Sequence, residues 1–274
     1  MYRPLGISST MLDQHLTAEN LQAARTRGIT HLEVYVAPDG ALFAEDEEVA
    51  RLAEGAAEAG LTLWSVHAPF GGEVDLSTTD ELARRKAVGA VRRACEVAAG
   101  LGAKYMVVHA GLAAEDEHEH ELRARQSMRS INCLLKRGSQ LGVKVALEYL
   151  PANKPRLGNN SIELLESLRL CDGDACVCLD TNHANLSEPL DMAVRTLGDS
   201  IETLHISDND GHEERHMLPG RGVIDWEQFM TLLDEIGYEG PLLLEATGGE
   251  GIPDLLEKSV AAACEHLGWE GPDV

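Results

Sequence analysis

Short runs of aliphatic and β-branched residues recur along the chain, and most are followed by a segment whose apolar residues return at three- and four-residue steps. These runs predict eight β-strands, at positions 4–8, 31–36, 62–68, 105–110, 144–150, 175–181, 203–207 and 241–246. Between residues 80 and 100 the apolar positions share one helical face, and Arg and Glu occupy the other. Strands alternating with helices predict parallel strands joined by right-handed crossovers.

The spacing of these units favours one architecture. Dividing 274 residues among eight units gives about 34 residues each, the length of a βα repeat in a (β/α)8 barrel. A doubly wound open sheet is the alternative, but no glycine-rich phosphate loop follows the first strand. Several helical segments end in a glycine just before the next strand, among them those closed by Gly60, Gly102 and Gly142. We therefore predict an α/β protein with a single (β/α)8 TIM barrel domain over residues 1–274.

Charge and composition limit the classes of partner that the protein is expected to bind. The chain has 46 Asp and Glu against 23 Lys and Arg, a formal net charge of −23. Nucleic acid is disfavoured as a partner, because non-specific affinity for it requires a basic surface. The sequence shows neither an apolar run of about 20 residues nor the pattern of a secretory signal, which predicts a cytoplasmic protein with no membrane partner. In that compartment the six cysteines are expected to be reduced thiols.

Six of the eight predicted strands carry a metal-binding type of residue at or near the C-terminal end. These residues are His67, His109, Glu148, Asp180, His205 and Glu245. A lone histidine or glutamate at a strand end is usually a hydrogen-bonded structural group. Six at one barrel mouth are different, because buried carboxylates and imidazoles that face one cavity are costly unless a cation neutralises them. The pattern predicts a metal site at this mouth.

Other polar positions have more than one interpretation. Side chains alternate along a strand, so Cys176 and Cys178 are expected to fill the barrel beneath Asp180. Glu33, within the second strand, could reach a substrate or simply bond to neighbouring backbone. His183 follows Asp180 by three residues, and the long loop after His205 holds further competent groups. Those loop residues are Asp208, Asp210, His212, Glu214, Arg215 and His216. Such a loop is either solvated or part of a site built from βα loops.

Four segments carry a resemblance to a known family: Leu-Glu-Tyr, Leu-Asp-Thr-Asn-His, Leu-His-Ile-Ser-Asp-Asn and His-Met-Leu-Pro-Gly-Arg-Gly-Val-Ile-Asp-Trp. They resemble the xylose isomerase-like TIM barrel superfamily, which includes sugar isomerases and epimerases and the endonuclease IV type of abasic-site nuclease. The resemblance covers nearly the whole chain. It implies a divalent metal ion (Mn, Mg, Co or Zn), and the ligands it implies are Glu148, Asp180, His205 and Glu245.

The resemblance also implies roles for individual residues. In the isomerase and epimerase members, the counterparts of Glu148 and Glu245 pass a proton to and from the substrate through an enediolate. His183 matches a substrate-binding histidine, and Arg215 is a candidate for the arginine that holds substrate oxygens. In the endonuclease members, further metals would fall on two additional sets of residues. These are His67 and His109 with Glu148, and His183, Glu214 and His216.

The sequence therefore leads to one main hypothesis and three alternatives. The main hypothesis is a divalent-metal-dependent isomerase or epimerase of a small sugar, polyol or keto acid, with a carbohydrate-like substrate and a homo-oligomeric assembly as expected partners. The first alternative is a dehydratase on the same scaffold, and the second is an endonuclease IV-like phosphodiesterase with a multi-zinc site. The third is an accessory domain that has lost activity, although both glutamates implied in proton transfer are intact.

Overall fold

Parallel strands alternating with helices make up the structure, a computed structural model that describes residues 2–13, 16–37, 45–248 and 250–271. The strands are β1 (Leu5–Ser8), β2 (His31–Tyr35), β3 (Thr62–His67), β4 (Tyr105–Val108), β5 (Lys144–Glu148), β6 (Ala175–Asp180), β7 (Ile201–His205) and β8 (Leu242–Leu244). The α-helices are α1 (Ala18–Thr26), α2 (Asp46–Ala59), α3 (Glu81–Leu101), α4 (Glu117–Leu141), α5 (Ser161–Arg169), α6 (Thr181–Asn185), α7 (Leu190–Leu197), α8 (Trp226–Glu235) and α9 (Ile252–His266). Short 3-10 helices span Ser9–Leu12 and Gly198–Ser200.

The strands form one curled sheet in the order β7-β6-β5-β4-β3-β2-β1-β8. Strand β8 pairs with β1 in parallel, and it reaches β7 through the isolated parallel bridge between Ile206 and Leu244. Two hydrogen bonds strengthen this seam, from Ile206 N to Leu243 O (2.8 Å) and from Glu245 N to Ile206 O (3.0 Å). The predicted (β/α)8 barrel is confirmed, and the open-sheet alternative is wrong because the sheet returns upon itself.

The apolar side chains divide into two buried groups on the two faces of the sheet. The larger group lies between the sheet and the helices; there Leu147 of β5 and Leu204 of β7 are fully buried. The smaller group fills the barrel itself and consists of Tyr105, Val107, Ala146, Cys176 and Cys178. The two cysteines are free thiols with no exposed surface, which confirms the core role predicted from strand alternation.

Helix ends are set by local backbone chemistry. Gly60, Gly102 and Gly142 follow α2, α3 and α4 in the left-handed conformation, at φ 73°, 69° and 73°. This conformation strains residues that carry a Cβ, so glycine stops each helix and turns the chain into the next strand. At the other end of the barrel, Lys144 and the hydroxyl of Tyr105 bind Glu202 at 2.5 and 3.0 Å. That end is closed by side chains, so the open mouth lies at the C-terminal ends of the strands.

The strands stop slightly earlier at the mouth than the sequence predicts. Strand β4 ends at Val108 rather than at residue 110, and β8 ends at Leu244 rather than at residue 246. His109 and Glu245 therefore each lie one residue beyond the last residue of their strand. Across the described ranges, none of the helices combines the length and apolar character that a membrane crossing requires.

Candidate metal centre

Nine carboxylate and imidazole side chains converge at the barrel mouth, in three groups whose ligand atoms lie within 4.8 Å of one another. We call Glu148, Asp180, His205 and Glu245 the central cluster. His67, His109 and Glu148 form the inner histidine cluster. His183, Glu214 and His216 form the rim cluster. These nine include every residue to which the sequence analysis gives a metal-binding, proton-transfer or substrate-binding role, except Arg215.

The central cluster presents unpaired ligand atoms to a shared point. His205 Nδ1 lies 3.1 Å from Glu245 Oε2, 3.5 Å from Glu148 Oε1 and 4.0 Å from Asp180 Oδ2. Asp180 and His205 have no exposed surface. Within the described chain neither Asp180 Oδ2 nor His205 Nδ1 has a hydrogen-bond partner. Buried polar atoms are almost always satisfied, so these converging atoms fit a bound cation.

The surroundings shift the pKa values of the two glutamates in this cluster in opposite directions. Burial opposes ionisation of Glu148, but the surrounding histidines, His109 first among them, hold its pKa well below the usual range. Burial raises the pKa of Glu245, and the neighbouring charge of Glu148 adds to this increase, although His205 opposes it. Two adjacent carboxyl groups in one site therefore differ in their readiness to hold a proton.

Glu33 lies behind the central cluster and orients one of its ligands. The strand register places Glu33 between Ser8 and Ser65, and its side chain has no exposed surface. Glu33 Oε1 is 2.9 Å from His205 Nε2, and Ser65 Oγ donates to Glu33 Oε2 at 2.7 Å. The Nε2 proton of His205 thus points at Glu33, and its Nδ1 lone pair faces the cluster. Glu33 bonds to side chains and not to the neighbouring backbone, contrary to one of its two predicted roles.

The inner histidine cluster is joined by short hydrogen bonds. His67 Nε2 and His109 Nε2 both lie 2.9 Å from Glu148 Oε2. Burial opposes protonation of His67, but the hydrogen bond and charge of Glu148 outweigh it and raise the pKa to about 9. Burial lowers the pKa of His109 to about 4, so this ring is neutral at pH 7. Behind His109, Arg156 Nη1 lies 3.2 Å from Nδ1, and the ring of Phe70 stacks at 4.0 Å between centroids.

The rim cluster is less buried than the other two. His183 donates from Nδ1 to Tyr149 O at 2.9 Å, and its Nε2 has no hydrogen-bond partner among the described residues. Glu214 Oε1 lies 3.6 Å from His183 Nε2 and 3.5 Å from His216 Nε2. The other oxygen of Glu214 binds Lys154 Nζ at 2.5 Å. The two neighbouring histidines, His183 first, hold the pKa of Glu214 far below its usual range.

The loop that carries the rim cluster is organised by Asp208. This carboxylate has no exposed surface, and its backbone pairs in both directions with Met217. Its oxygens accept hydrogen bonds from Asn209 N (2.9 Å), Gly220 N (3.0 Å), Gly222 N (3.0 Å), Ile224 N (3.2 Å) and Trp226 Nε1 (3.0 Å). The structure therefore gives Asp208 a role in holding the loop, which the sequence pattern did not distinguish from a chemical role.

The remaining polar residues of this loop stay outside the clusters. Arg215 is half-exposed, and its guanidinium pairs with Asp210 at 2.7 Å and with Glu213 at 2.9 Å. Asp210 also accepts from the backbone N–H of His212 at 2.9 Å. The substrate-binding role of Arg215 stays a prediction.

Two cations near the clusters were not singled out from the sequence. Lys154 and Arg156 belong to the loop between β5 and α5, and each contacts one flanking cluster. The signal that could have identified them is weak. They are two basic residues in Pro-Ala-Asn-Lys-Pro-Arg, directly after a strand that ends in a ligand-type glutamate, in a chain of net charge −23.

The chain resembles several known proteins. A ketose 3-epimerase of Arthrobacter globiformis is 28% identical over 189 residues, which cover 66% of this chain and 63% of that protein. A probable endonuclease 4 of Natronomonas pharaonis is 28% identical over 224 residues, which cover 75% of this chain and 78% of that protein. The chain spans less than two thirds of the length of some relatives, including two uncharacterized proteins of Methanocaldococcus jannaschii (63% and 66%).

Structural comparison agrees with the sequence matches. The crystal structure of a D-tagatose 3-epimerase-like protein superposes with a TM-score of 0.84 at 24% identity, covering 97% of both chains. At this level of identity the superposition supports the fold. The family model described as xylose isomerase-like TIM barrel matches residues 21–267. Because that match takes in most of the chain, this protein belongs to the xylose isomerase-like TIM barrel family.

Proposed function

We propose that this protein is a divalent-metal-dependent isomerase or epimerase of a small ketose-type sugar. The observation that carries the proposal is the central cluster, in which two glutamates flank buried ligand atoms that lack hydrogen-bond partners. The ketose 3-epimerase among the relatives, and a fructoselysine 3-epimerase of Escherichia coli O157:H7 that is 25% identical over 171 residues, support the substrate class.

The ligand set of the central cluster suits a divalent cation. It offers one imidazole nitrogen, from His205, and carboxylate oxygens from Glu148, Asp180 and Glu245. This mixture of one nitrogen and several oxygens suits Mn, Mg or Co, and Zn is also compatible. A cation bound there supplies electrophilic stabilisation for negative charge that develops on substrate oxygens.

The two glutamates supply the proton transfers in this proposal. One carboxylate removes the proton from the carbon next to the substrate carbonyl, and the electron pair of the broken C–H bond moves into an enediolate. The other carboxyl group returns a proton to carbon. Return to the opposite face of the same carbon inverts it, and return to the neighbouring carbon moves the carbonyl group. Glu148 and Glu245 are suited to this work because both belong to the central cluster and both lie within 3.5 Å of His205 Nδ1.

Solvent exchange gives the direct test of this activity. With a panel of ketoses in D₂O, we expect NMR to show deuterium entering at one carbon of the accepted sugar as it isomerises. Chelation should abolish exchange, and Mn, Co or Mg should restore it, because the cation stabilises the enediolate. Loss of water from the sugar would indicate the dehydratase alternative. Absence of exchange with every ketose, polyol-derived ketone and keto acid tested, in metal-loaded protein, would refute the proposal.

A second prediction concerns Glu33. Glu33→Gln is expected to weaken metal binding about 10- to 100-fold, because glutamine replaces the charged acceptor that fixes the ring of His205. Titration of metal-free protein with Co²⁺, followed by visible absorbance, measures this change without an activity assay. Glu227→Gln on the exposed side of α8 is a matched control that removes the same charge outside the three clusters. Equal affinity of the Glu33 variant and the control would contradict the assigned role.

The flanking clusters favour one competing function. Three adjacent ligand groups suit a multi-metal phosphodiesterase, in which paired ions contact the attacking and leaving oxygens of a phosphodiester. The probable endonuclease 4 relative belongs to this class by name. The net charge of −23 opposes binding to a polyanion. Cleavage of a duplex with an abasic site at near-physiological salt would favour this function over sugar chemistry.

A further inference from the structure

His109 differs from the other cluster histidines in the group that stands behind its ring. The rings of four cluster histidines each have an acceptor beside the nitrogen that faces away from the ligands. These acceptors are Ala68 O for His67, Tyr149 O for His183, Glu33 for His205, and Glu245 O for His216. Behind His109 stands Arg156, whose Nη1 is 3.2 Å from Nδ1.

This difference decides which ring nitrogen carries the proton. A guanidinium group has only donors, so the Nδ1 atom of His109 must accept and must keep its lone pair. The proton of the neutral ring is then on Nε2, which lies 2.9 Å from Glu148 Oε2 and donates to it. A nitrogen that carries a proton has no lone pair for a metal ion. Each of the other four rings has an acceptor at its outward nitrogen, so that nitrogen carries a proton and the inward nitrogen is the one able to offer a lone pair to a metal ion.

Rotation of the ring does not remove this restriction. Turning the His109 ring over would place carbon atoms against both Arg156 and Glu148, and both hydrogen bonds would be lost. The stacked ring of Phe70, with planes at 28°, covers one face of the imidazole and limits its tilt. For His109 to bind a cation through Nε2, its proton would have to move to Nδ1, where it would point at the guanidinium.

We propose that Arg156 prevents the inner histidine cluster from binding a metal ion, so that the three clusters together hold fewer than three metal ions. The proposal rests on the metal binding proposed above for the central cluster and limits how many ions join it. In this protein Glu148 is then a ligand of the central cluster, and its second oxygen is occupied by hydrogen bonds from His67 and His109.

Lys154 provides an internal comparison on the same loop. Its ammonium binds the Glu214 oxygen that does not face the histidines, and its side chain is 44% exposed. The outward nitrogens of His183 and His216 face backbone acceptors, so their inward nitrogens remain the ones able to offer a lone pair to a metal ion. Lys154 therefore adds positive charge beside the rim cluster without imposing a tautomer. If charge alone excluded metals, the two cations would act alike; if hydrogen-bond direction decides, they differ.

Metal stoichiometry of purified variants tests the proposal. Arg156→Gln replaces a donor with a side chain whose carbonyl oxygen can accept from His109 Nδ1, whereas Arg156→Lys keeps a donor-only group. After saturation with Zn²⁺ and removal of free metal, we expect Arg156→Gln to hold about one more ion per chain than the unmodified protein by elemental analysis. Arg156→Lys and the matched control Lys154→Gln are expected to hold the same number as the unmodified protein. Circular dichroism confirms that each variant is folded.

Each other outcome has a defined meaning. Three ions in the unmodified protein, no gain in Arg156→Gln, or an equal gain in Lys154→Gln would each overturn the closure by Arg156 while leaving metal dependence intact. No ion in the unmodified protein but one in Arg156→Gln would support the closure and refute the metal site proposed above. No ion in either protein would refute both.

A second measurement does not depend on metal. The ¹⁵N chemical shifts of the imidazoles in metal-free protein are expected to show His109 with an unprotonated Nδ1 and a protonated Nε2. In Arg156→Gln these two signals should exchange roles. An Nδ1 proton on His109 in the unmodified protein would overturn the proposal even if the stoichiometry agreed with it.

Discussion

Glu245→Gln is expected to lower kcat on the accepted ketose by about 10³-fold, because glutamine keeps the shape and one oxygen ligand of glutamate but cannot exchange a proton. Glu245 lies beside His205, 3.1 Å from Nδ1, and burial already raises its pKa, so its place in the site is suited to proton transfer. Glu148→Gln is expected to have at least as large an effect, because Glu148 also accepts hydrogen bonds from two histidines of the inner histidine cluster. Steady-state kinetics with matched metal content measures both effects.

The design must separate loss of proton transfer from loss of metal. Asp180→Asn is the matched control, because Asp180 belongs to the same ligand set but has no proposed part in moving protons. Its amide oxygen can still accept the hydrogen bond from His183 N, 2.9 Å from Asp180 Oδ1, which begins α6. Excess metal should restore most of the activity of Asp180→Asn and little of that of Glu245→Gln. Equal recovery of the two variants would mean that Glu245 acts only as a ligand.

Asp208→Ala is expected to lower the free energy of unfolding by about 4 kcal/mol, because several hydrogen bonds to one charged acceptor are lost together and each is worth about 1.5–3 kcal/mol at most. Five donors converge on this carboxylate, four of them backbone N–H groups of the loop between β7 and α8. Alanine would leave these donors without their acceptor, and those of Asn209, Ile224 and Trp226 are buried. For a chain of this length the loss corresponds to a decrease in Tm of roughly 10 °C, measured by thermal denaturation.

Asp210→Ala is the matched control for this prediction. Asp210 lies two residues further along the same loop, and it accepts from the backbone N–H groups of His212 and Glu213, both at 2.9 Å. These contacts are exposed to solvent, so water can replace the carboxylate, and a change of less than about 1 kcal/mol is expected. A similar loss of stability in both variants would show that the loop, and not the buried acceptor, determines the effect.

The strands and the candidate ligands on them were predictable because both follow from periodicity. Alternation along β6 placed Cys176 and Cys178 beneath Asp180, and the structure has all three fully buried. The same reasoning brought six strand-end residues to one mouth, where they now form two of the three clusters. Strand ends were less predictable, and β4 and β8 each stop two residues early. Strand pairing stops where neighbouring strands move apart at the mouth. The position of that point depends on contacts between strands that are distant in sequence.

Residues that act through loops were not predictable in the same way. A loop has no repeating geometry, so the sequence could not separate Asp208, which holds backbone donors, from Glu214, which faces two histidines. Nor could it place Arg156 against His109, 47 positions earlier in the chain. The number of potential ligand residues in the sequence therefore gives only an upper limit to the number of metal ions in a site. The groups behind the imidazole rings decide how many of those positions are usable.

The seam between β7 and β8 closes the barrel, and these two strands also carry residues of the central cluster. Among the described residues these two strands share an isolated bridge, whereas the other neighbouring strands pair over three or more residues. His205 ends β7 and Glu245 follows β8, so an ion held by both spans the seam. Binding to the closed form alone, at a free concentration about a thousandfold above Kd, adds about 4 kcal/mol to that form. We therefore expect a cation bound at the central cluster also to stabilise the closed barrel, and its removal to weaken the pairing between β7 and β8.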